Sequence, residues 1–355
     1  MHKSSKIYVA GHKGLVGSAL INCLQKKGYN NLLYRTRSEL DLINQKEVDF
    51  FFQKEQPDYV ILAAAKVGGI LANNTYRAEF IYENLMIQNN IIHCSYLNKV
   101  KKLLFLGSTC IYPKNITQPI TESALLTSEL EYTNEPYAIA KISGIKMCES
   151  YNLQYGTNFL SIMPTNLYGL NDNFDLKNSH VLPALVRKIH LAKCIRDKNW
   201  DSLREDINKR PISGINASNS TIDIISFLKN FGITSDFVEI WGTGKPTREF
   251  MYSADLADAC VFLLKNINFS DTYTASKEIK NSHINIGTGE EISVFNLAEL
   301  IKEVINYKGS FLFDKSKPDG VLRKVSDLSK INSLGWKAKT TLKEGINIIY
   351  QSYIE

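Results

Sequence analysis

Apolar and polar positions alternate in a regular order over the first half of the chain. Continuous apolar runs predict buried strands at residues 6–10, 31–35, 59–65, 102–107 and 158–163. Apolar residues at helical spacing predict helices at residues 15–27, 75–98 and 137–155. Strands that alternate with helices are typical of a parallel sheet built from βαβ units, in which helices cover both faces of the sheet.

The pattern changes after Tyr168. Helices are predicted at residues 182–193, 221–229, 293–306 and 342–353, and strands at 238–241 and 283–287. Residues 195–237 are mostly polar and longer than a connection in a compact domain normally is. We interpret them as an insertion that could be a lid, an oligomer contact or an inert loop.

The order of these elements predicts an α/β fold with a Rossmann-type, doubly wound parallel sheet and a smaller, discontinuous α/β substrate domain. The dinucleotide-binding domain is expected at residues 1–168, with a return segment near 238–268. The substrate domain is expected at residues 169–237 and 269–355, and it includes the insertion.

Composition narrows the class of protein. The chain has 355 residues, of which 44% are hydrophobic and 22% charged, as in a soluble globular protein. The net charge of +6 is scattered, which argues against nucleic-acid binding, and the longest apolar run, Val60–Ala65, is too short to span a membrane. Six cysteines without a CxxC pair predict no metal site and a reducing, cytoplasmic setting.

A glycine-rich loop, Gly11-His-Lys-Gly14-Leu-Val-Gly17, stands between the first predicted strand and helix. In this position glycines let the backbone approach a pyrophosphate, and the helix N-terminus favours its negative charge. An NAD enzyme usually carries an acidic residue at the end of the second strand, but here the sequence is Tyr34-Arg-Thr-Arg37. Lys13, Arg35 and Arg37 suit the 2′-phosphate of NADP, and each guanidinium–phosphate hydrogen bond contributes about 1.5–3 kcal/mol. The loop therefore predicts NADPH rather than NADH.

A second set of residues indicates reduction of a carbonyl group. Tyr137-Ala-Ile-Ala-Lys141 places a phenol and an ammonium group on one helix face, and Ser108 follows a predicted strand. A lysine within about 4–6 Å is expected to lower the tyrosine pKa by about 1–3 units, toward the strength of a useful general acid. In this order, the glycine loop, the strand-end serine and the YxxxK motif are typical of the extended, nucleotide-sugar branch of the short-chain dehydrogenase/reductase superfamily.

Longer strings resemble the GDP-L-fucose synthase family, whose members are GDP-4-keto-6-deoxy-mannose 3,5-epimerase/4-reductases. The strings are Ala63-Ala-Ala-Lys-Val-Gly-Gly-Ile-Leu-Ala-Asn-Asn74, Gly107-Ser-Thr-Cys-Ile-Tyr-Pro113, Asn134-Glu-Pro-Tyr-Ala-Ile-Ala-Lys141, Pro164-Thr-Asn-Leu-Tyr-Gly169, Asn178-Ser-His-Val-Leu-Pro183, Arg248-Glu-Phe-Met-Tyr252, Ser282-His-Ile-Asn-Ile-Gly-Thr-Gly289 and Ser316-Lys-Pro-Asp-Gly320. The resemblance covers nearly the whole chain except residues 195–237. It implies an NADPH-dependent oxidoreductase and isomerase of cell-surface polysaccharide biosynthesis. It also implies a GDP-sugar substrate and a homodimer packed through the helices at 75–98 and 137–155.

The family's functional residues carry over to positions of this sequence. The reductase triad matches Ser108, Tyr137 and Lys141, and the epimerisation pair matches Cys110 and His180. The C4 ketone acidifies the protons on C3 and C5, so a thiolate can remove one and an acid on the opposite face can return it. The resemblance implies substrate contacts by Ser108, Asn166, Lys188, Trp241, Arg248 and Lys317. Cofactor contacts are expected from Gly11, His12, Lys13, Gly14, Leu15, Val16, Gly17, Arg35, Arg37, Asp41, Leu42, Ala63, Ala64, Ala65, Leu106, Tyr137, Lys141, Pro164, Asn166, Leu167 and His180.

Two departures from the family keep alternatives open. The family has two successive arginines where this chain has Arg187-Lys188, and the insertion follows that helix. An alternative is therefore a C4 reductase without epimerisation that acts on a related GDP-4-keto-6-deoxy sugar such as a heptose. A 4,6-dehydratase would carry an acidic pair where Thr109-Cys110 stands, and an NADP-binding regulatory protein would normally lack the tyrosine or the lysine.

Overall fold

The structure is a computed structural model that describes residues 1–274, 278–317 and 319–355. Pro318, which belongs to the string at residues 316–320, lies outside the described residues. The chain forms two compact units. Unit 1 consists of residues 1–171, 249–290 and 325–339, and unit 2 of residues 172–248, 291–324 and 340–355. Residues 269–290 and 325–339, expected in the substrate domain, thus fall in unit 1, and 238–248 fall in unit 2.

A six-stranded parallel sheet forms the centre of unit 1. Its strands lie in the order β2-β1-β3-β4-β5-β9. Their bounds are β1 Ile7–Ala10, β2 Leu32–Leu33, β3 Tyr59–Leu62, β4 Lys102–Leu106, β5 Phe159–Pro164 and β9 Ile284–Ile286. The order reverses between β1 and β3, and in such sheets ligands bind beyond the carboxyl ends of the strands near the reversal. The predicted fold class is confirmed.

Helices cover both faces of this sheet, which explains the continuous apolar runs. Ile7 and Val9 pack into one buried cluster, and Tyr8 and Ala10 pack into another, because successive side chains of a strand point to opposite faces. The helices of unit 1 are α1 Leu15–Lys26, α2 Gln45–Glu55, α3 Ile70–Thr75, α4 Arg77–Leu97, α5 Glu135–Tyr155, α9 Ser253–Asn266 and α11 Ser329–Ser333. Short 3₁₀ turns lie at Thr109–Ile111, Glu122–Ala124, Tyr132–Asn134 and Phe269–Thr272. Among the described residues, no helix is both long and apolar enough to cross a membrane.

Two further strands continue unit 1. Strand β6 (Asn166–Tyr168) pairs in parallel with residues 250–252 of β8 (Thr247–Tyr252). Within this unit, the buried Glu249 carboxylate accepts hydrogen bonds from the backbone N–H groups of Thr288, Gly289 and Ser326. One side chain thereby binds two separate segments of the chain, at residues 288–289 and at residue 326, to β8.

Unit 2 contains two parallel strands, β7 (Phe237–Trp241) and β11 (Ser310–Asp314), which pair along their full length. Strand β12 (Arg323–Lys324) pairs in parallel with residues 247–248 of β8. The remaining elements are β10 Glu291–Ser293, α6 Val181–Arg196, α7 Trp200–Lys209, α8 Thr221–Lys229, α10 Val294–Ile305 and α12 Leu342–Ile354. The region interpreted as an insertion therefore contains two helices, of which only α8 was predicted.

A buried ion pair docks α7 against α6. Arg187 and Asp206 are each about 1% exposed, and the Arg187 Nε donates to Asp206 Oδ1 over 3.0 Å. Arg210 and the Tyr353 hydroxyl also donate to the Asp206 carboxylate. Leu203 and Ile207 are the buried apolar residues of α7, and most of its other residues are polar or charged, so the sequence analysis interpreted the segment as polar. The insertion is a folded part of unit 2, held by a buried ion pair as well as by buried apolar residues.

We expect Asp206→Asn to lower the free energy of unfolding by about 3–5 kcal/mol, because it leaves the Arg187 guanidinium buried without an anion. Urea denaturation measures the change. The matched control is Glu303→Gln, which breaks the exposed Lys343–Glu303 pair and should cost under about 1 kcal/mol. Equal, small losses in the two variants would show that the pair does not hold α7.

Candidate active site

The glycine loop lies at the carboxyl end of β1, where the sheet order reverses. Gly11 has φ +86°, and a Cβ there would meet Ala64 N at 2.7 Å, while a Cβ on Gly17 would overlap the backbone of Gly11. Gly14 caps α1, and a Cβ there would meet only Gly11 O, at 3.5 Å. No acidic residue stands in the described first turn of α1. The loop is therefore closely packed at Gly11 and Gly17, open at Gly14 and without an acidic residue at the start of α1, which fits the pyrophosphate of a dinucleotide at the helix N-terminus.

The two arginines predicted for the 2′-phosphate follow β2, and both face carboxylates. Arg35 donates to Glu55 over 2.9 Å and to its neighbour's carbonyl oxygen, and its guanidinium lies 5.5 Å from the Phe51 ring centroid. Arg37 is 3.8 Å from Glu83 and largely exposed. Arg35 is therefore held in place, whereas Arg37 can reorient toward a ligand. The sequence analysis did not identify either glutamate, because each lies on a distant helix.

The other residues predicted to contact the cofactor are distributed along the same edge of the sheet. Ala63, Ala64 and Ala65 follow β3, and the Ala63 N–H donates to Ala10 O over 3.1 Å. His12 stacks on Tyr34, with 4.7 Å between ring centroids, and the amide of Asn166 donates to Glu249 O over 2.9 Å. Lys13 lies in the loop, Leu15 and Val16 in the first turn of α1, Asp41 and Leu42 before α2, Leu106 at the end of β4, Pro164 at the end of β5 and Leu167 in β6.

Ser108, Tyr137 and Lys141 are all in unit 1. Ser108 follows β4, and its hydroxyl accepts a hydrogen bond from the Cys110 N–H over 3.3 Å. Tyr137 and Lys141 lie one turn apart on α5, with the ammonium group 5.7 Å from the phenol ring centroid. Lys141 is 3% exposed and donates to Leu106 O over 2.8 Å. The structure thus ties the helix that carries the tyrosine to the strand that leads to the serine.

The predicted effect of Lys141 on its neighbour is wrong for the protein without ligands. Burial raises the pKa of Tyr137 above its usual value, and the nearby Cys110 raises it further. Burial also lowers the pKa of Lys141 to about 8. Desolvation is the largest cause of both shifts, since Lys141 is buried and Tyr137 is partly buried, and it outweighs the attraction between the ammonium group and a phenolate. Tyr137 therefore carries its proton at neutral pH, which is the form that a general acid needs.

Cys110 lies in the 3₁₀ turn Thr109–Ile111 that follows Ser108, and it is partly exposed. Ser108 and Cys110 are thus two residues apart at the carboxyl end of one strand. This arrangement brings a hydroxyl group that can bind a carbonyl oxygen and a thiol that can act as a base to the same edge of the sheet.

The remaining candidates lie in unit 2. His180 is the exposed N-cap residue of α6. Lys188, on the same helix, is 8% exposed and donates to Glu239 O over 3.1 Å, and burial lowers its pKa to about 8. Glu239 and the exposed Trp241 lie on the same face of β7, since they are two residues apart.

Trp241 is 58% exposed, and the Lys317 ammonium lies 5.6 Å from its ring centroid. The Arg248 guanidinium donates to Thr247 O over 2.8 Å, and burial lowers its pKa while Asp319 acts in the opposite direction. A Cβ on Gly320 would come within 2.9 Å of this guanidinium. An exposed aromatic face beside a cation suits a nucleotide base, and arginine and lysine suit phosphates.

Comparison with known proteins identifies the family of this chain. The profile of the family described as "NAD dependent epimerase/dehydratase family" matches residues 7–206 and 218–287. The putative GDP-L-fucose synthase 2 of Arabidopsis thaliana is 52% identical over 355 residues, which are 100% of this chain and 93% of that protein.

Two solved structures from Campylobacter jejuni also resemble this chain. A GDP-6-OMe-4-keto-L-xylo-heptose reductase is 48% identical with a TM-score of 0.92, covering 99% of this chain and 98% of that one. A GDP-mannoheptose C4 reductase with NADP bound is 47% identical with a TM-score of 0.88, covering 99% of each chain. The chain therefore belongs to the NAD dependent epimerase/dehydratase family, in the group of the GDP-L-fucose synthases.

Proposed function

We propose that the protein converts a GDP-4-keto-6-deoxy sugar by epimerisation at C3 and C5 and reduction at C4, which gives GDP-L-fucose or a close relative. The observation that carries this proposal is that Ser108 and Cys110 follow β4 on one turn, beside the helix that bears Tyr137 and Lys141. The naming of a relative that is 52% identical over the full chain as a GDP-L-fucose synthase supports it. The cofactor is NADPH, in agreement with the NADP found in a related structure.

The chain's residues supply the proton transfers of both stages. In the first stage, the Cys110 thiolate removes a proton from the carbon next to the C4 ketone, and His180 returns one to the opposite face. In the second stage, Ser108 hydrogen-bonds the ketone oxygen and Tyr137 protonates it as the negative charge develops. The Lys141 cation stabilises that charge. Bound NADPH supplies the hydride that adds to C4.

A second candidate is C4 reduction of a GDP-4-keto heptose without epimerisation. The high similarity to the two heptose reductases favours it, as does Lys188 at a position where the family has arginine. Cys110 and His180 favour the first candidate, because reduction alone requires neither residue.

We also propose a homodimer that packs through α4 and α5, and a cytoplasmic location. The outer faces of these helices leave large apolar side chains in water, among them Tyr82, Leu97 and Leu153, each more than half exposed. Exposed apolar side chains on two neighbouring helices support an interface there. Light scattering tests the dimer, and a monomer mass would exclude it.

Tyr137→Phe should lower NADPH oxidation with a GDP-4-keto-6-deoxy sugar by about 10²–10⁴-fold, because it removes the acid that protonates the C4 oxygen. The same variant should still incorporate solvent deuterium at C3 and C5, since Cys110 and His180 remain. NMR of the recovered sugar measures incorporation, and Cys110→Ser is the reciprocal control, expected to lose the exchange. If the unmodified protein reduces the sugar without any exchange, the reductase candidate is correct and the epimerase is not.

Arg37→Ala should reduce the preference for NADPH over NADH by about 10-fold or more in kcat/KM, because a guanidinium–phosphate contact is lost. Arg77→Ala, which removes an arginine that contacts Tyr132 and Glu135, is the matched control and should leave the preference unchanged. Comparable kcat/KM values for the two cofactors in the unmodified protein would contradict the proposed role of the basic cluster.

The KM for the GDP-sugar should rise as the pH increases above about 8. Burial lowers the pKa of Lys188 to about 8. An anionic ligand favours the protonated form of this lysine, so binding is coupled to proton uptake. As the pH rises above about 8, less of the free protein carries that proton and the ligand binds more weakly. Lys188→Arg should flatten this profile, because arginine stays charged. Steady-state kinetics from about pH 7 to 9 measure the effect, and a KM that does not change with pH would rule it out.

A further inference from the structure

A buried group of polar side chains lies beneath the turn that carries Cys110. Tyr112 ends this turn, and its side chain enters the core, where it is 3% exposed. There it meets His283 and Asn285 of the segment that contains β9, both fully buried. The Tyr112 oxygen is 2.5 Å from Asn285 Oδ1 and 3.0 Å from His283 Nε2.

The hydrogen bonds in this group have only one consistent assignment. The Asn285 Nδ2 donates to Ile120 O over 2.9 Å and to Asp327 O over 3.3 Å, so its Oδ1 is the acceptor for Tyr112. A tyrosine hydroxyl has a single hydrogen, and that hydrogen goes to Asn285. His283 must then donate from Nε2 to the Tyr112 oxygen. Its Nδ1 is left as a bare lone pair, with no partner among the described residues.

Asn285 thereby holds both ends of the loop at residues 112–122, which follows the turn that carries Cys110. Its side-chain oxygen holds Tyr112, its side-chain nitrogen holds Ile120, and its backbone N–H donates to the buried Glu122 carboxylate over 3.0 Å. The start of the turn is fixed separately, because Ser108 follows β4, and the Gly107 N–H donates to Ile162 O over 2.8 Å. Cys110 lies between these two fixed points.

We propose that Tyr112, held by Asn285 and His283, is a positioning residue that sets the location of the Cys110 thiol for proton removal at C3 and C5. This inference rests on the proposed function. Two of the three reducing groups do not depend on the same contact: Lys141 is held by Leu106 O, and Tyr137 by the helix that it shares with Lys141. The third, Ser108, accepts from the Cys110 N–H but directly follows the fixed end of β4. Loss of the Tyr112 hydroxyl should therefore affect epimerisation more than reduction.

Tyr112→Phe tests the proposal in the full-length protein with NADPH and a GDP-4-keto-6-deoxy sugar. We expect deuterium incorporation at C3 and C5 to fall by about 10- to 100-fold, as for a catalytic group displaced by about 1 Å. NADPH oxidation should change less, so that NMR of the products shows a larger share of sugar reduced at C4 without epimerisation. The matched control is Tyr29→Phe, a tyrosine of the same unit that is also 3% exposed and lies outside the polar group.

A second measurement examines the thiol without any sugar. The rate at which iodoacetamide alkylates Cys110, read from the Cys110 peptide by mass spectrometry, should change by about threefold or more in Tyr112→Phe and stay constant in Tyr29→Phe. If the unmodified protein shows no deuterium exchange, the epimerase function fails, and the alkylation rates alone decide whether Tyr112 positions Cys110. Equal losses of exchange and reduction, or an unchanged alkylation rate, would overturn the proposal.

His283→Gln serves as the conservative variant, because the glutamine amide can still donate to Tyr112. It should retain most of the exchange, whereas His283→Phe, which removes the donor, should shift the products in the same direction as Tyr112→Phe. These two variants also decide the question if Tyr112→Phe does not fold. An equal product ratio in the two would overturn the proposal.

Discussion

The hydrogen bond from Lys141 Nζ to Leu106 O is the contact on which the reducing half of the site depends. A buried ammonium group must find an acceptor, and the last carbonyl group of β4 provides it over 2.8 Å. The bond fixes the rotation of α5, and with it the direction of Tyr137, one turn earlier on the same face. Close packing reinforces it, because a Cβ on Gly144 of α5 would overlap the Phe105 ring of β4. The helix thus approaches the strand closely enough for one lysine to span the gap.

Desolvation divides the cations of the protein into two groups. Lys141 and Lys188 are buried against backbone carbonyl oxygens, and the pKa of each is lowered to about 8. Arg35 and Arg37, by contrast, each face a carboxylate. A buried cation bound only by a carbonyl dipole gains more from an incoming anion than one already paired with an acid. Lys141 and Lys188, one in each unit, are therefore two positions where a bound anion would favour the charged form of a lysine.

The sequence was sufficient to predict the parallel sheet, because strands such as β3 are covered on both faces and appear as uninterrupted apolar runs. It was also sufficient to propose Ser108, Tyr137 and Lys141 as one catalytic set, since their order along the chain is a recurring motif. Helix α7 was not predicted, because its two buried apolar residues stand among mostly polar ones and the partner of Asp206, Arg187, lies on another helix. The state of Tyr137 could not be predicted either. The spacing to Lys141 shows which charge is near, whereas the depth of burial, which decides the sign of the pKa shift, comes from the whole fold.

The ion pair between α6 and α7 bears on how one scaffold can serve different GDP-sugars. The guanidinium of Arg187 is occupied by contacts inside the protein, because Asp206, Phe174 O and Arg210 O all accept hydrogen bonds from it. The neighbouring residue on α6, Lys188, is the cation that reaches β7, where it donates to the backbone carbonyl oxygen of Glu239. A lysine presents a compact charge and needs no planar, two-point contact, so it constrains the orientation of a ligand less than arginine does. The structured insertion holds α6 in place with a buried charge. If Lys188 contacts the sugar nucleotide as proposed, it places a weaker geometric demand on that ligand than an arginine would.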